Sequence, residues 1–573
     1  MRDRHLHLQR FSRAALLVLS LLSGCAANDY ATDDAVVKTG FQSSGAFANY
    51  LDGKYAAQHA DMNAAAEHLE AAASQSGVPE VMSEAFLAAV LAGRPEAARL
   101  AAKLPDNPVA QLVLADQSAK DGQWAEAEAR FAALPQQGLT QVLRPLLVAW
   151  AEQGAGRTSA AIATLQPLTE SGQLRGVMAL HAAMIADLGG QAADAARFYQ
   201  LAQNQYGGLN LRLGVVLASW QARSGFVTEG QQTIRTIAGG SGELSLARPA
   251  LEADVTNRAV PTALDGIAET YLALGATLRQ QNALDSAQVM LRLALSMRPN
   301  FASAQLLLAE IQADNHRPRL ALATLDAVPA DDPLAAVVQL RVAGLQDTIG
   351  NEAAAVRGLE RLARAFPDRP EPLAAEAEIL SREGRYADAT DVLNRAIARV
   401  GTPSRANWPL FFERGTAYER AGDWPRAEAD LQYALQLSPD QPTILNYLGY
   451  AWTERGEHLP EARDMLERAV QLRPNEGSYI DSLGWVQLRS GDDTAALKTL
   501  QRAVELQPED AVINGHLGDA MAAVGHWRDA EFQWRRALTL NPDPADAERI
   551  NAKLAAMPQG VAASPHAAGA ASR

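Results

Sequence analysis

Between Phe412 and Pro542 the chain repeats one arrangement of small, large apolar and polar positions. Glycines fall at Gly415, Gly449, Gly484 and Gly518. Alanines fall at Ala427, Ala462, Ala496 and Ala530, and again at Ala434, Ala469, Ala503 and Ala537. Prolines close the units at Pro439, Pro474, Pro508 and Pro542, and successive copies lie 34 or 35 residues apart. The pattern predicts a pair of amphipathic helices in each unit. A Gly or Ala where two helices cross lets their backbones approach, and a proline with no N–H ends the second helix. Strand-like alternation does not compete over any useful length.

The same period runs upstream. The position of Ala427 is filled by Ala389, Ala355, Ala321 and Ala287, each followed four residues later by Leu393, Leu359, Leu325 and Leu291. Residues four apart share one helix face. Closing prolines recur at Pro367, Pro333 and Pro299. Four extra residues separate Ala389 from Ala427, around Val400 to Trp408, and one extra residue sits in the GEHLPEA turn. Beyond Ala287 the pattern skips to a weak unit at Gly230, then returns at Ala195, Ala161, Ala127, Ala98 and Ala65. Residues 238–264 carry Gly and Pro punctuation and read as a spacer.

A period of 34 residues is that of the tetratricopeptide repeat (TPR), whose hairpins bury their apolar faces only by stacking. The expected fold is therefore all-α: a TPR-type helical-hairpin solenoid (superhelix) of about 14 hairpins in two blocks. Degenerate repeats are expected over 45–237, the spacer over 238–264, further repeats over 265–400 and C-terminal repeats over 401–556. The chain of 573 residues is too long for one compact core, which agrees with a repeat array.

Charge changes the picture of partners. A net charge of −15 argues against a nucleic-acid surface, and no Lys/Arg run occurs beyond the extreme N-terminus. At that N-terminus, Arg2, Arg4, Arg10 and Arg13 precede a short apolar run from Ala14 to Leu22, about half of what would span a bilayer. The run ends in Leu22-Ser23-Gly24-Cys25, and Cys25 is the sole cysteine, so no disulfide can form within the chain. This segment resembles a bacterial lipoprotein signal peptide over 1–24. The resemblance implies acylation of Cys25 and, with Ala26 rather than Asp after it, placement in the outer membrane facing the periplasm. Residues 25–44 read as a flexible tether and 557–573 as a disordered tail.

Candidate chemistry is sparse. No metalloprotease helix, phosphate loop or nucleophile elbow is present, so no catalytic residue, cofactor or metal ligand is expected. The glycines at Gly239 to Gly242 read as a loop breaker. His516 and His526 share one hairpin but lie ten residues apart, which gives no ligand geometry on one helix face. Both read as exposed polar residues. Carboxylates beside arginines, as in EARDMLERA, read as a solvated helix face. An enzyme is not expected.

The residues the core does not require are more informative. In each first helix, the residue after the Leu-Gly pair turns about 100° away from the neighbouring helices. In TPR proteins that side lines the concave groove, which here would present Phe412, Asn446, Tyr450, Asp481, Trp485, Arg489 and Asp519. Tyr450 and Trp485 are the strongest candidate anchors, since aromatic groups dominate binding energy at protein interfaces. Burial of both rings at a seam between repeats is the competing reading.

The phrases LNYLGYAWTERGEHLPEARDMLERAVQLRP, SYIDSLGWVQLRSGD and NGHLGDAM resemble the C-terminal repeats of bacterial outer-membrane TPR lipoproteins. In that family one member serves as adaptor for a periplasmic carboxy-terminal processing protease acting on peptidoglycan endopeptidases. The resemblance implies a non-catalytic scaffold with protein partners, including such a protease and cell-wall hydrolases, and a membrane contact through the lipid anchor. Two other readings stay open on the residues alone. One is a scaffold or pilotin for exopolysaccharide or secretin assembly, the other a glycan-binding or glycan-modifying lipoprotein.

Overall fold

The computed structural model describes residues 44–557 apart from 60, 173, 240 and 241. Cys25, the leader, the tether up to residue 43 and the tail from residue 558 lie outside the described residues. The described residues form thirty α-helices and no strand. Twenty-eight of them pair into 14 antiparallel hairpins, with one single helix inside the series and one closing it. The chain divides into two compact units, Met1–Phe366 and Pro367–Arg573. This division does not coincide with the 238–264 spacer expected from the sequence. That stretch carries a helix of its own, and the packing described below runs across it.

In the first unit the hairpins are α1 (Ser44–Gln58) with α2 (Met62–Ser76), α3 (Pro79–Ala92) with α4 (Glu96–Ala101), and α5 (Pro108–Lys120) with α6 (Trp124–Ala132). They continue with α7 (Gly138–Gly154) and α8 (Thr158–Glu170), α9 (Arg175–Leu188) and α10 (Ala192–Tyr206), then α11 (Leu211–Arg223) and α12 (Val227–Gly239). The single helix α13 (Leu244–Asp254) follows. Three more pairs complete the unit: α14 (Ala263–Gln280) with α15 (Leu284–Met297), α16 (Ala302–Asp314) with α17 (Pro318–Asp326), and α18 (Ala335–Thr348) with α19 (Glu352–Ala365).

The second unit holds five hairpins: α20 (Glu371–Arg382) and α21 (Tyr386–Arg399), α22 (Trp408–Arg420) and α23 (Trp424–Leu437), α24 (Pro442–Arg455) and α25 (Leu459–Leu472), α26 (Gly477–Arg489) and α27 (Asp493–Leu506), α28 (Ala511–Ala523) and α29 (Trp527–Thr539). The closing helix α30 (Pro544–Ala555) packs on α29. The four extra residues before α22 form a capped 3₁₀ turn, Arg405–Asn407, where Ser404 and Asn407 satisfy each other's backbone groups. The extra residue of the GEHLPEA turn is absorbed by two left-handed residues, Gly456 and His458, with the His458 ring resting 4.8 Å from Trp452.

The repeated small residues sit where hairpin helices touch. The alanines at the second-helix position are buried throughout, except that Ala98 is half-buried and its neighbour Ala97 is buried instead. A methyl group on Gly449 would lie 2.9 Å from Leu466 Cγ, and one on Gly484 would lie 2.5 Å from Leu500 Cγ. Both leucines are fully buried and cannot give way. Gly484→Val is expected to lower stability by about 1–3 kcal/mol through overpacking, read as a fall in the melting temperature followed by circular dichroism. An unchanged melt would mean that the helices do not meet at this residue.

Packing in the first unit is not limited to chain neighbours. Helices α14 and α15 turn back onto α3, α5, α7 and α9, the first helices of earlier hairpins. The contact is closely fitted: a methyl group on Gly266 would lie 2.3 Å from the Trp150 indole. Several buried polar groups on both sides are paired. Tyr271 Oη donates to both carboxyl oxygens of Asp116 at 2.9 and 3.0 Å. Trp150 Nε1 donates to His181 Nδ1 at 2.9 Å, and burial pushes that imidazole down to about 3, so it stays neutral and accepts. Arg212 and Arg298 both approach the buried Glu269 carboxylate. Asp187 is held by Arg223 and Arg258. One apolar core runs through this region from Tyr50 to Ile311. The first-helix surface of the early hairpins is thus covered by their own chain.

Candidate functional site

In the second unit the corresponding surface is formed by α22, α24, α26 and α28, and its side chains interlock with the period of the repeat. In two of the hairpin junctions, the residue three before the repeat glycine meets the residue two before the glycine of the next hairpin. Phe412 meets Tyr447 edge-on, with ring centres 5.4 Å apart. Asp481 meets His516, whose Nδ1 lies 2.9 Å from a carboxyl oxygen. Stacking the hairpins therefore positions these pairs, and neither partner's helix could do so alone.

The expected groove residues fall into different environments. Phe412 is half-buried and stands apart from the rest, with Trp408 and Tyr447. Asn446 is half-buried, and its Oδ1 is buried with no hydrogen-bond partner among the described residues. Tyr450 is half-buried, and burial first, then Glu454 and Asp481, hold its phenol above the ordinary tyrosine range. Asp481 is only 4% exposed, a wall residue and not an open one. Asp519 is bound by Trp534 Nε1 at 2.9 Å and by Lys553 Nζ at 2.6 Å, so α30 closes that end of the surface. Arg489 is exposed, with its guanidinium 5.7 Å from the centre of the Trp485 ring.

Trp485 is neither an open anchor nor a sealed core residue. It is half-buried, and it joins three consecutive first helices. Its Nε1 donates to Glu454 of α24 at 2.5 Å. Its ring stacks on His516 of α28, with centroids 4.1 Å apart and planes 12° apart. This one side chain combines partial exposure with contacts to both neighbouring hairpins.

His516 corrects the sequence reading. Its side chain is 12% exposed and paired, not a free surface group, whereas His526 is exposed as expected. The signal was available: His516 lies 35 residues after Asp481, one repeat period, which puts the two on adjacent first helices. Several carboxylates also depart from the expected solvated face, since Asp116, Glu269, Asp430 and Asp481 are buried. Each has a partner, as with Arg414 on Asp430 at 2.6 Å. Among the described residues no group of three His, Cys, Asp or Glu is placed to hold a metal ion. No helix among them is long and apolar enough to cross a membrane.

This surface can hold a partner's side chains against half-exposed rings flanked by carboxylates. Two segments match family models described as tetratricopeptide repeat, residues 278–343 in the first unit and 412–477 in the second. Human tetratricopeptide repeat protein 13 is 38% identical over 113 residues, which span 20% of this chain and 12% of that protein. Among solved structures, the APC/C hetero-tetramer Cut9-Hcn1 aligns with 91% of this chain and 98% of its own at 14% identity and a TM-score of 0.38. Yeast Tom70 aligns with 78% of this chain and 95% of its own at 11% identity and a TM-score of 0.33. The chain carries tetratricopeptide repeats in both of its units, within an all-helical fold of stacked hairpins.

Proposed function

We propose that the chain is a non-catalytic protein–protein interaction scaffold that engages its partners on the first-helix surface of the second unit. The observation that carries this reading is the contrast between the two units. In the first, α14 and α15 cover the first helices of the early hairpins. In the second, the equivalent surface keeps Tyr450, Trp485 and Phe412 half-exposed. Large aromatic groups at partly exposed, preformed positions are favoured binding anchors. Photo-crosslinking from positions 450 and 485 tests the reading: covalent adducts to a partner protein support it, and adducts only from outside this surface contradict it.

The proposed setting is the periplasmic face of the outer membrane, with Cys25 acylated and the chain recruiting a processing protease to cell-wall hydrolases. The lipoprotein-like leader and the phrases from Leu445 to Met521 support it. Stable anchoring needs more than one acyl chain, which a lipoprotein cysteine supplies. Cys25→Ala is expected to abolish incorporation of labelled palmitate and to release the protein from the membrane fraction or leave it unprocessed. Equal membrane retention of both forms, with no label in the wild type, would contradict the anchor.

A further inference from the structure

The Trp485–His516–Asp481 assembly has a property that the scaffold reading does not use. Asp481 is a buried carboxylate, and the group that compensates it is an imidazole. The charged groups that act on that imidazole are Glu454 from α24, Asp481 from α26 and Asp519 from its own helix. Tyr450 of α24 lies in the field of Glu454 and Asp481, and Arg489 of α26 lies over the Trp485 ring. From α30, Lys553 is bound to Asp519, and Arg549 to Asp546. The imidazole thus sits among three carboxylates, and the nearby lysine is already committed to one of them.

We infer that His516 is a proton-operated lock on the partner surface. When it carries a proton, Trp485 is held in place for binding; when it is neutral, the wall formed by Trp485 loosens and partner engagement weakens. This regulation rests on the reading of the surface as the partner site. Two interactions need the charge. An imidazolium 4.1 Å from the indole, with planes nearly parallel, gains cation–π attraction that a neutral ring lacks. The Asp481 carboxylate, out of water, is paired with His516 Nδ1, and that partner's charge is lost when the ring is neutral.

Electrostatics sets the pH window. Burial alone would depress the imidazole, but attraction to Asp481, the hydrogen bond to it, and the fields of Asp519 and Glu454 together outweigh that, leaving it above its ordinary value. A histidine raised in this way stabilises the fold fully below its unfolded value of about 6.5, and the contribution is lost as pH rises through the higher folded value. The lock is therefore closed below about pH 6.5 and opens as pH rises through the higher folded value.

The test needs no partner. Subtracting the emission of the full-length Trp485→Phe protein from that of wild type isolates the Trp485 signal, which a stacked imidazolium quenches. That signal is expected to brighten between pH 6 and 9, with a midpoint above about 6.5. The brightening should vanish in His516→Gln and move to lower pH in Asp481→Asn, which decides the matter if the glutamine variant fails to fold. A flat profile in the wild type, or an unchanged one in both variants, would overturn the lock. Such a failure leaves the partner surface itself standing, because that is tested separately by crosslinking.

Discussion

Replacing Tyr271 with alanine is expected to destabilise the first unit by about 3–5 kcal/mol, the cost of deleting a fully buried aromatic side chain. The loss has two parts. The ring fills space between α14 and earlier hairpins, and its hydroxyl donates to a carboxyl group buried 155 positions away in sequence. Tyr271→Phe separates the two, because it keeps the ring and leaves Asp116 without that hydrogen bond. It should cost about 1–3 kcal/mol.

The phenylalanine variant should also change the response to pH. Burial raises the Asp116 carboxyl and outweighs the lowering effects of the Tyr271 hydrogen bond and Lys120, which leaves it at about 7. The folded chain therefore holds this proton at pH values where the unfolded chain, near 4, has released it. Folding takes up a proton across that interval, so this group's contribution to stability falls as pH rises from about 4 to about 7. Removing the donor raises the folded value further, and the penalty of Tyr271→Phe should be larger at pH 8 than at pH 5. Urea titrations of wild type and variant at the two pH values check this. A penalty independent of pH would mean that Asp116 is not buried against Tyr271.

Trp485→Ala is expected to weaken partner binding by about 2 kcal/mol, roughly thirtyfold in dissociation constant. The ring is half-buried, so its removal should cost the fold about 1 kcal/mol, chiefly the stack on His516, and not the 3–5 kcal/mol of a sealed core aromatic. Tyr450→Ala should act in the same direction with a smaller effect. A melting curve beside a binding titration distinguishes these outcomes. A large fall in melting temperature with normal affinity in the surviving folded protein would assign Trp485 to the seam.

The hairpins were legible in the sequence because each repeat position answers to a local demand. Gly415, Gly449, Gly484 and Gly518 recur since any side chain there would strike the facing helix, and that constraint repeats with the hairpin. The turn back of α14 onto α7 and α9 was not legible. It depends on Gly266 facing Trp150 and Tyr271 facing Asp116, pairs that recur nowhere else and are separated by long stretches of chain. For the same reason 238–264 read as a spacer, although Leu246, Ala247 and Leu251 of α13 are buried. In the second unit the candidate residues were found by register, yet register alone could not tell the wall residue Asp481 from the exposed Arg489. That difference is made by His516, one repeat later.

Partner engagement at the first-helix surface of the second unit is tested most directly by placing a photo-crosslinking phenylalanine derivative at single positions in cells. Tyr450 and Trp485 report on that surface, and Arg502, exposed on the second helix α27, reports on the opposite side of the hairpin. A discrete covalent adduct to a partner protein from positions 450 and 485, with none from 502, is the predicted result. Adducts only from position 502, or from the first unit alone, would contradict it.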